Sequence, residues 1–311
     1  MRILIAGGTG ALGSRLVPML VARGHEVFAT TRVAAKAQQL GATAIVLDPL
    51  DRDAVCKAVL EVAPEVVVHQ LTALSGAFDL KHFDRFFHQT NVLRTRGLDI
   101  LLDAAVAAGA HRFVAQGYTG WTNERTGGPV KTEADPVDPT PTPASRESLA
   151  AIRHIENTVP NTPGIEGIVL RYGSFYGPGN GIGKGGDMAE TIAKRKVPIV
   201  GDGAGVWSFI HIDDAAQATV RAIEGTQTGV YNIVDDEPAQ VREWLPYLAN
   251  VLGAKAPMKV PVWLAKPLIG EHGVSMMTRQ RGSSNAKAKQ ELGWKPVHAT
   301  WREGFLTEFN G

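Results

Sequence analysis

The chain predicts an α/β protein built on a doubly wound parallel sheet, and three observations carry that prediction. The apolar run Ile3-Leu4-Ile5-Ala6 breaks into Gly7-Gly8-Thr9-Gly10-Ala11-Leu12-Gly13 and resumes as a helical pattern through Leu16, Val17 and Leu20. Strand-like and helix-like periods then alternate, which is the signature of βαβ units. The 311 residues, 44% of them hydrophobic, suffice for a large core and roughly two domains of ~150 residues each.

The elements follow in order. Residues 2–6 read as a first strand, 14–23 as a helix and 26–31 as a second strand after the stop at Gly24. A short helix over 34–40 precedes a strand at 43–47. Residues 51–62 repeat the helical period, and the β-branched run at 65–70 gives a fourth strand. A long helix spans 82–108 and a fifth strand 112–116. The segment 122–143, with five prolines and two adjacent glycines, reads as a lid, a binding loop or disorder. Helical pattern returns over 145–158 and a sixth strand over 167–171, with a last helix at 211–223 and strand at 230–234. Residues 1–173, rejoined by 208–235, are expected to form the nucleotide-binding unit, and 174–311 a smaller, mainly substrate-binding region.

Composition narrows the partners. Lys and Arg total 32 against 31 Asp and Glu, which argues against nucleic acid or an anionic membrane surface. The single cysteine, Cys56, falls in a helical pattern and reads as an inert thiol, so no intrachain disulfide can form. The first strand starts at once, and no apolar run approaches membrane-spanning length, so a cytoplasmic protein is expected. None of the nine histidines shows a metal spacing such as H-E-x-x-H, and no metal site is expected.

A strand that turns through glycines into a helix is a seat for a diphosphate. The glycines permit the tight turn and close backbone approach, while the helix N-terminus supplies unpaired N–H groups and partial positive charge. Gly7, Thr9, Gly10, Ala11, Leu12 and Gly13 are therefore the expected cradle of a Rossmann-type dinucleotide site. At the end of the second strand, a carboxylate would hold a ribose 2′-OH and an arginine a 2′-phosphate. This chain reads Thr30-Thr31-Arg32, which favours NADP(H), with NAD(H) possible. Asp48 either reaches the adenine amino group or serves the turn before Pro49.

These motifs, with others further on, give the chain its resemblance. It resembles an extended short-chain dehydrogenase/reductase of the NAD-dependent epimerase/dehydratase family. The likeness runs through Gly7–Gly13, Asn91-Val92, Arg112-Phe113-Val114, Glu133–Pro139, Leu170-Arg171-Tyr172, Tyr176–Gly179, Phe209–Asp214 and Glu291–Pro296. It implies a nicotinamide cofactor, with Leu71, Gln116 and Tyr172 along its path, and a homodimer paired through the helices at 82–108 and 145–158.

The departures bear on chemistry. The family's acid/base pair is Y-x-x-x-K, and none of the five tyrosines here has a lysine four positions on. The resemblance places Ala144 near the tyrosine position and Ser148 near the lysine position. At the end of the fifth strand, where the family commonly has serines, stand Tyr118 and Thr119, the candidate catalytic residues; Tyr118 either donates a proton or only lines the pocket. Where nucleotide-sugar members carry a diphosphate-binding arginine, this chain has Trp207, either an apolar pocket wall or a core residue. Trp121, Phe175, Tyr176, Trp207 and His211 are the candidate substrate contacts, and Arg279 and Arg281 remain possible anion ligands. Arg153 and Glu156 read as a surface ion pair. The expected activity is NADP(H)-dependent hydride transfer with a carbonyl, enone or imine of a small, mostly apolar metabolite. A sugar-nucleotide epimerase or dehydratase, and a catalytically silent NADP-binding sensor, are the alternatives.

Overall fold

The computed structural model describes residues 1–74 and 79–310. Seven parallel strands form the central sheet. The first five are β1 (Arg2–Ala6), β2 (Glu26–Thr31), β3 (Thr43–Val46), β4 (Val66–His69) and β5 (Arg112–Tyr118), followed by the strands Glu166–Tyr172 and Gly229–Ile233. From one edge the order is Gly229–Ile233, Glu166–Tyr172, β5, β4, β1, β2, β3. The winding reverses between β1 and β4, and the crevice beyond the strand ends there is where this topology binds ligands.

Helices cover both faces: α1 (Gly13–Ala22), α2 (Ala34–Gln39), α3 (Arg52–Val62), α4 (Phe83–Val92), α5 (Leu98–Ala107), α6 (Arg146–Thr158) and α8 (Ile212–Glu224), while α7 (Asp187–Ala193) packs with the later part of the chain. One face of the sheet packs on α1 and α8 through Ile3, Ile5, Leu16, Leu170 and Ala215; the other packs on α3, α5 and α6 through Leu4, Val67, Val59, Leu101 and Ile155. The long helix expected over 82–108 is α4 and α5, joined by a π-helical turn at Leu93–Gly97. Among the described residues no helix is long and apolar enough to cross a membrane.

A third apolar cluster gathers Tyr176, Trp207, Phe209, Trp244, Trp301 and Phe305 from the later part of the chain. It is served by α9 (Val241–Val251), α10 (Val262–Thr278) and, after α11 (Ala286–Glu291), α12 (Trp301–Asn310). The Pro-rich segment 122–143 is not an open loop. Val130–Lys131 pairs in parallel with Gly282–Ser283, and Arg125 bridges Asp138 at 2.9 Å with both side chains largely buried. The pair expected between Arg153 and Glu156 does not form: Glu156 takes Arg171 in a two-pronged bridge at 2.5 and 2.6 Å, while Arg153 donates to the Asp138 carbonyl. Helix α6 leans on the sheet, so Glu156 is turned inward to meet the arginine that the sixth strand buries.

Candidate active site

The glycine turn leaves β1 at the reversal point, and its geometry shows why glycine is needed. Gly7 has φ +86°, and a Cβ there would lie 2.7 Å from the Gln70 carbonyl oxygen; a Cβ on Gly13 would lie 2.5 Å from that of Gly8. Gly7 N–H donates to Thr30 Oγ1 at 3.0 Å, and Thr9 Oγ1 meets Thr31 Oγ1 at 3.1 Å, which ties the turn to the end of β2. No side chain caps α1 at Leu12; Ser14 and Arg15 N–H donate to the Gly10 and Leu12 carbonyls at 2.9 and 3.0 Å, which leaves the N–H groups of Ala11, Leu12 and Gly13 for an anion. Beside the turn, Thr30, Leu47, Pro49, Leu71 and Gly97 bound a small apolar cleft. The cradle therefore fits a dinucleotide.

Arg32 is exposed just beyond β2, and among the described residues it has no hydrogen-bonding or ion-pairing partner. Asp48 Oδ1 accepts from Leu50 N–H at 2.9 Å, so that oxygen is committed to the turn. Gln116 is half-buried on β5. Tyr172 does not face the cleft: its ring is 1% exposed and its hydroxyl meets Thr219 Oγ1 at 2.7 Å between sheet and α8. Successive residues of a strand point to opposite faces, and this one falls on the α8 side.

Tyr118, at the end of β5, is half-buried; its hydroxyl lies 3.3 Å from Ser174 Oγ and its ring stacks on Trp121 with centroids 6.0 Å apart. Burial raises its pKa, more than the nearby Arg94 charge lowers it, so the phenol keeps its proton. Thr119 points the other way. It is 1% exposed and its hydroxyl is held by Ser283 Oγ at 2.6 Å and Asn123 Oδ1 at 3.2 Å, so it stitches the 122–143 segment instead of facing substrate.

Three of the five candidate substrate contacts are core residues. Trp207 packs between Phe209 and Trp244, and its indole N–H is spent on the Met276 carbonyl at 3.0 Å. Tyr176 is fully buried against Phe305. His211 accepts the Asp213 N–H through Nδ1 to cap α8, and stacks on His298 at 3.8 Å. With Asp214 these two histidines gather close enough to suit a metal ion, yet the Asp214 carboxylate already accepts from Val297 N–H, His298 N–H and His298 Nδ1. Phe175 is half-buried with its ring 5.3 Å from Tyr172, on the sheet's own core.

Trp121 keeps a place beside Tyr118, and residues not foreseen surround it. Phe83 lies edge-on at 5.0 Å and the His272 ring at 5.3 Å. Burial pushes His272 down to about 4, leaving it neutral; Nδ1 meets Thr142 Oγ1 at 3.1 Å while Nε2 has no partner. Gln280, 2% exposed, has neither end of its amide satisfied, and its Nε2 approaches Gly120 beside the Tyr118 ring. Arg94, 5% exposed on the π-helical turn, lies over Phe87 at 5.7 Å, and burial pushes its guanidinium down to about 10. Ser148 is fully buried: its hydroxyl donates to Asp84 at 2.6 Å and accepts from Asn91 Nδ2 at 3.0 Å. Among the described residues its side-chain partners are Asp84 and Asn91, neither of them a cation. The one sequence signal for Arg94 was its place on the stripe Phe83, Phe87, Asn91, a charge on a buried face.

The comparisons agree with this frame. The family model for the NAD dependent epimerase/dehydratase family matches residues 3–234. The chain belongs to that family. It is 44% identical over 310 residues to a 3-diazoavenalumate denitrifying reductase from a Streptomyces species, covering 99% of this chain and 100% of that protein. It is 31% identical over 267 residues to the 2-alkyl-3-oxoalkanoate reductase of Stenotrophomonas maltophilia, covering 82% of this chain and 76% of that protein. The structure of the Thermus thermophilus UDP-glucose 4-epimerase complex with NAD superposes with a TM-score of 0.73 at 25% identity, covering 100% of this chain and 98% of that one.

Proposed function

We propose that the protein is an NADP(H)-dependent reductase of a small, planar, mostly apolar metabolite, and that the group reduced is an aryl diazo function released as dinitrogen. The observation that carries this reading is the fate of the family's lysine position: Ser148 is sealed between Asp84 and Asn91, and among the described residues no hydrogen bond joins it to Tyr118, whose hydroxyl meets Ser174. Carbonyl reduction ends on an alkoxide that requires a proton, and a relay speeds its delivery. Reduction of an aryl diazonium does not. When bound, the dinucleotide supplies hydride to the terminal nitrogen; dinitrogen then leaves as a carbon–hydrogen bond forms, so atoms and charge balance with no outside proton. The Streptomyces relative, a denitrifying reductase of a diazo compound by its name, supports the same class.

The chain's own residues then bind, orient and exclude water. Gly7–Gly13 and the α1 N-terminus would hold the diphosphate, and Arg32 a 2′-phosphate. The half-buried Trp121 offers an aromatic ring to a flat substrate, with the buried Phe83 edge-on behind it. The protonated Tyr118 donates a hydrogen bond to a substrate oxygen. Carbonyl reduction with Tyr118 as proton donor is the second reading, supported by the likeness to the 2-alkyl-3-oxoalkanoate reductase. The test is NADPH oxidation against a panel of aryl diazonium salts and ketones, with evolved dinitrogen measured by mass spectrometry and enzyme-free controls. Dinitrogen and arene formed in step with NADPH consumption support the first reading. Turnover of ketones alone overturns it for the second, and tight NADPH binding with no turnover of either removes both in favour of a sensor.

A further inference from the structure

We infer that Arg94 is the anion-binding residue of the substrate site, taking the ionised oxygen of an aromatic ligand that lies against Tyr118 and Trp121. The inference rests on the preceding reading in one respect, that the substrate occupies the end of β5.

The argument begins with an uncompensated charge. Arg94 is 5% exposed, yet among the described residues no carboxylate pairs with it, and its Nη1 has no hydrogen-bond partner. A buried guanidinium without a counter-charge is costly, and proteins that keep one hold it for a ligand or for another charge. The acid on the same helix, Asp84, is committed elsewhere: it accepts from Ser148 N–H and Oγ and from Glu147 N–H. His69, the other titratable neighbour, is neutral and directs Nε2 at the Leu93 carbonyl at 3.1 Å. The Phe87 ring 5.7 Å away offers only its π-face.

Placement gives the charge a direction. Arg94 lies in the π-helical turn Leu93–Gly97, a local form frequent at functional sites. It acts on the Tyr118 phenol, which stacks on Trp121. Phe83, between Phe87 at 4.5 Å and Trp121 at 5.0 Å, continues the aromatic wall. A cation over Phe87 and a neutral O–H donor beside Trp121 flank this aromatic wall, a pairing that selects a flat ring bearing an oxyanion. A guanidinium suits such an oxygen because its N–H groups fork. Either a phenolate or a carboxylate supplies that chemistry.

The probes are 4-nitrophenolate, 4-nitrobenzoate and the neutral 4-nitroanisole, titrated into the wild-type protein with saturating NADP+, and into Arg94→Gln and Arg94→Lys. We expect one of the two anions to bind at least about tenfold tighter than 4-nitroanisole, since a hydrogen bond to a charged group is worth that much or more. Arg94→Gln should weaken the anion by about 10- to 100-fold and leave 4-nitroanisole unchanged, while Arg94→Lys recovers part of the loss. Preference for the phenolate names a phenol as the substrate group, and preference for the benzoate names a carboxylate. Equal binding of anion and 4-nitroanisole by the wild-type protein, no saturable binding of either anion, or unchanged anion affinity in Arg94→Gln overturns the assignment. The wild-type selectivity needs no variant, so a misfolded substitution leaves the proposal open to refutation. Tryptophan quenching by NADPH is measured separately. Failure there strikes the cofactor reading, and the probe series repeated on the apoprotein still judges Arg94.

Discussion

Replacing Arg32 by glutamate should convert the cofactor preference without disturbing the fold. Arg32 is exposed and touches no described acid or carbonyl through its guanidinium, so its removal breaks nothing in the free protein. The whole effect then falls on the bound state. A guanidinium on a phosphate contributes about 1.5–3 kcal/mol, which is roughly 10- to 100-fold in affinity, and a carboxylate in its place adds repulsion of similar order. NADPH affinity should therefore fall by at least about 100-fold, whereas NADH, which presents a 2′-OH, should weaken by less than about threefold or bind better. Titration by tryptophan fluorescence measures both constants, and a urea melt should show stability unchanged to about 0.5 kcal/mol. Equal losses for the two dinucleotides would refute the reasoning, because they would mean that Arg32 acts on a feature both share. Undiminished NADPH binding would do the same.

Three further predictions follow from the geometry. Tyr118→Phe removes the phenolic O–H at the end of β5 and should lower kcat by about 10²-fold with cofactor affinity intact; unchanged turnover would leave Tyr118 a wall residue. Glu156→Gln strips the partner from the buried Arg171 and should cost about 3 kcal/mol in urea unfolding, and a loss below about 1 kcal/mol would show that the bridge is solvated. Acid should weaken the fold through His69 and His272. Unfolded, each imidazole takes a proton near 6.5, but buried it takes none until about 4, so the stability is complete above 6.5 and is lost as pH falls towards 4. Between pH 7 and pH 5 the loss should be about 2 kcal/mol for each histidine, and a double His69→Asn, His272→Asn variant should show a flatter unfolding profile over that range.

The sequence by itself determined the frame: the strand, glycine turn and helix at residues 2–22, the alternation that yields the parallel sheet, and the Arg32 position beyond β2. These are legible because each rests on local physics, the period of apolar side chains or the steric room that only glycine leaves at Gly7 and Gly13. Which aromatic and polar side chains meet at the site was decided by tertiary packing alone. Trp207, Tyr176 and Trp121 are alike in sequence, since an aromatic ring suits a core and a pocket equally well. The first two are buried within the apolar cluster closed by α9 and α12, while Trp121 packs half-buried at its edge and stacks on Tyr118. Thr119 and Tyr118 are neighbours on one strand end that face opposite ways, and pairing of Gly282–Ser283 with Val130–Lys131 fixes what Thr119 meets. Arg94, His272 and Gln280 come from distant stretches of chain, and their unpartnered atoms exist only once α4, α10 and β5 are packed together. A charge without a partner is a property of a folded neighbourhood, and no pattern along one chain records it.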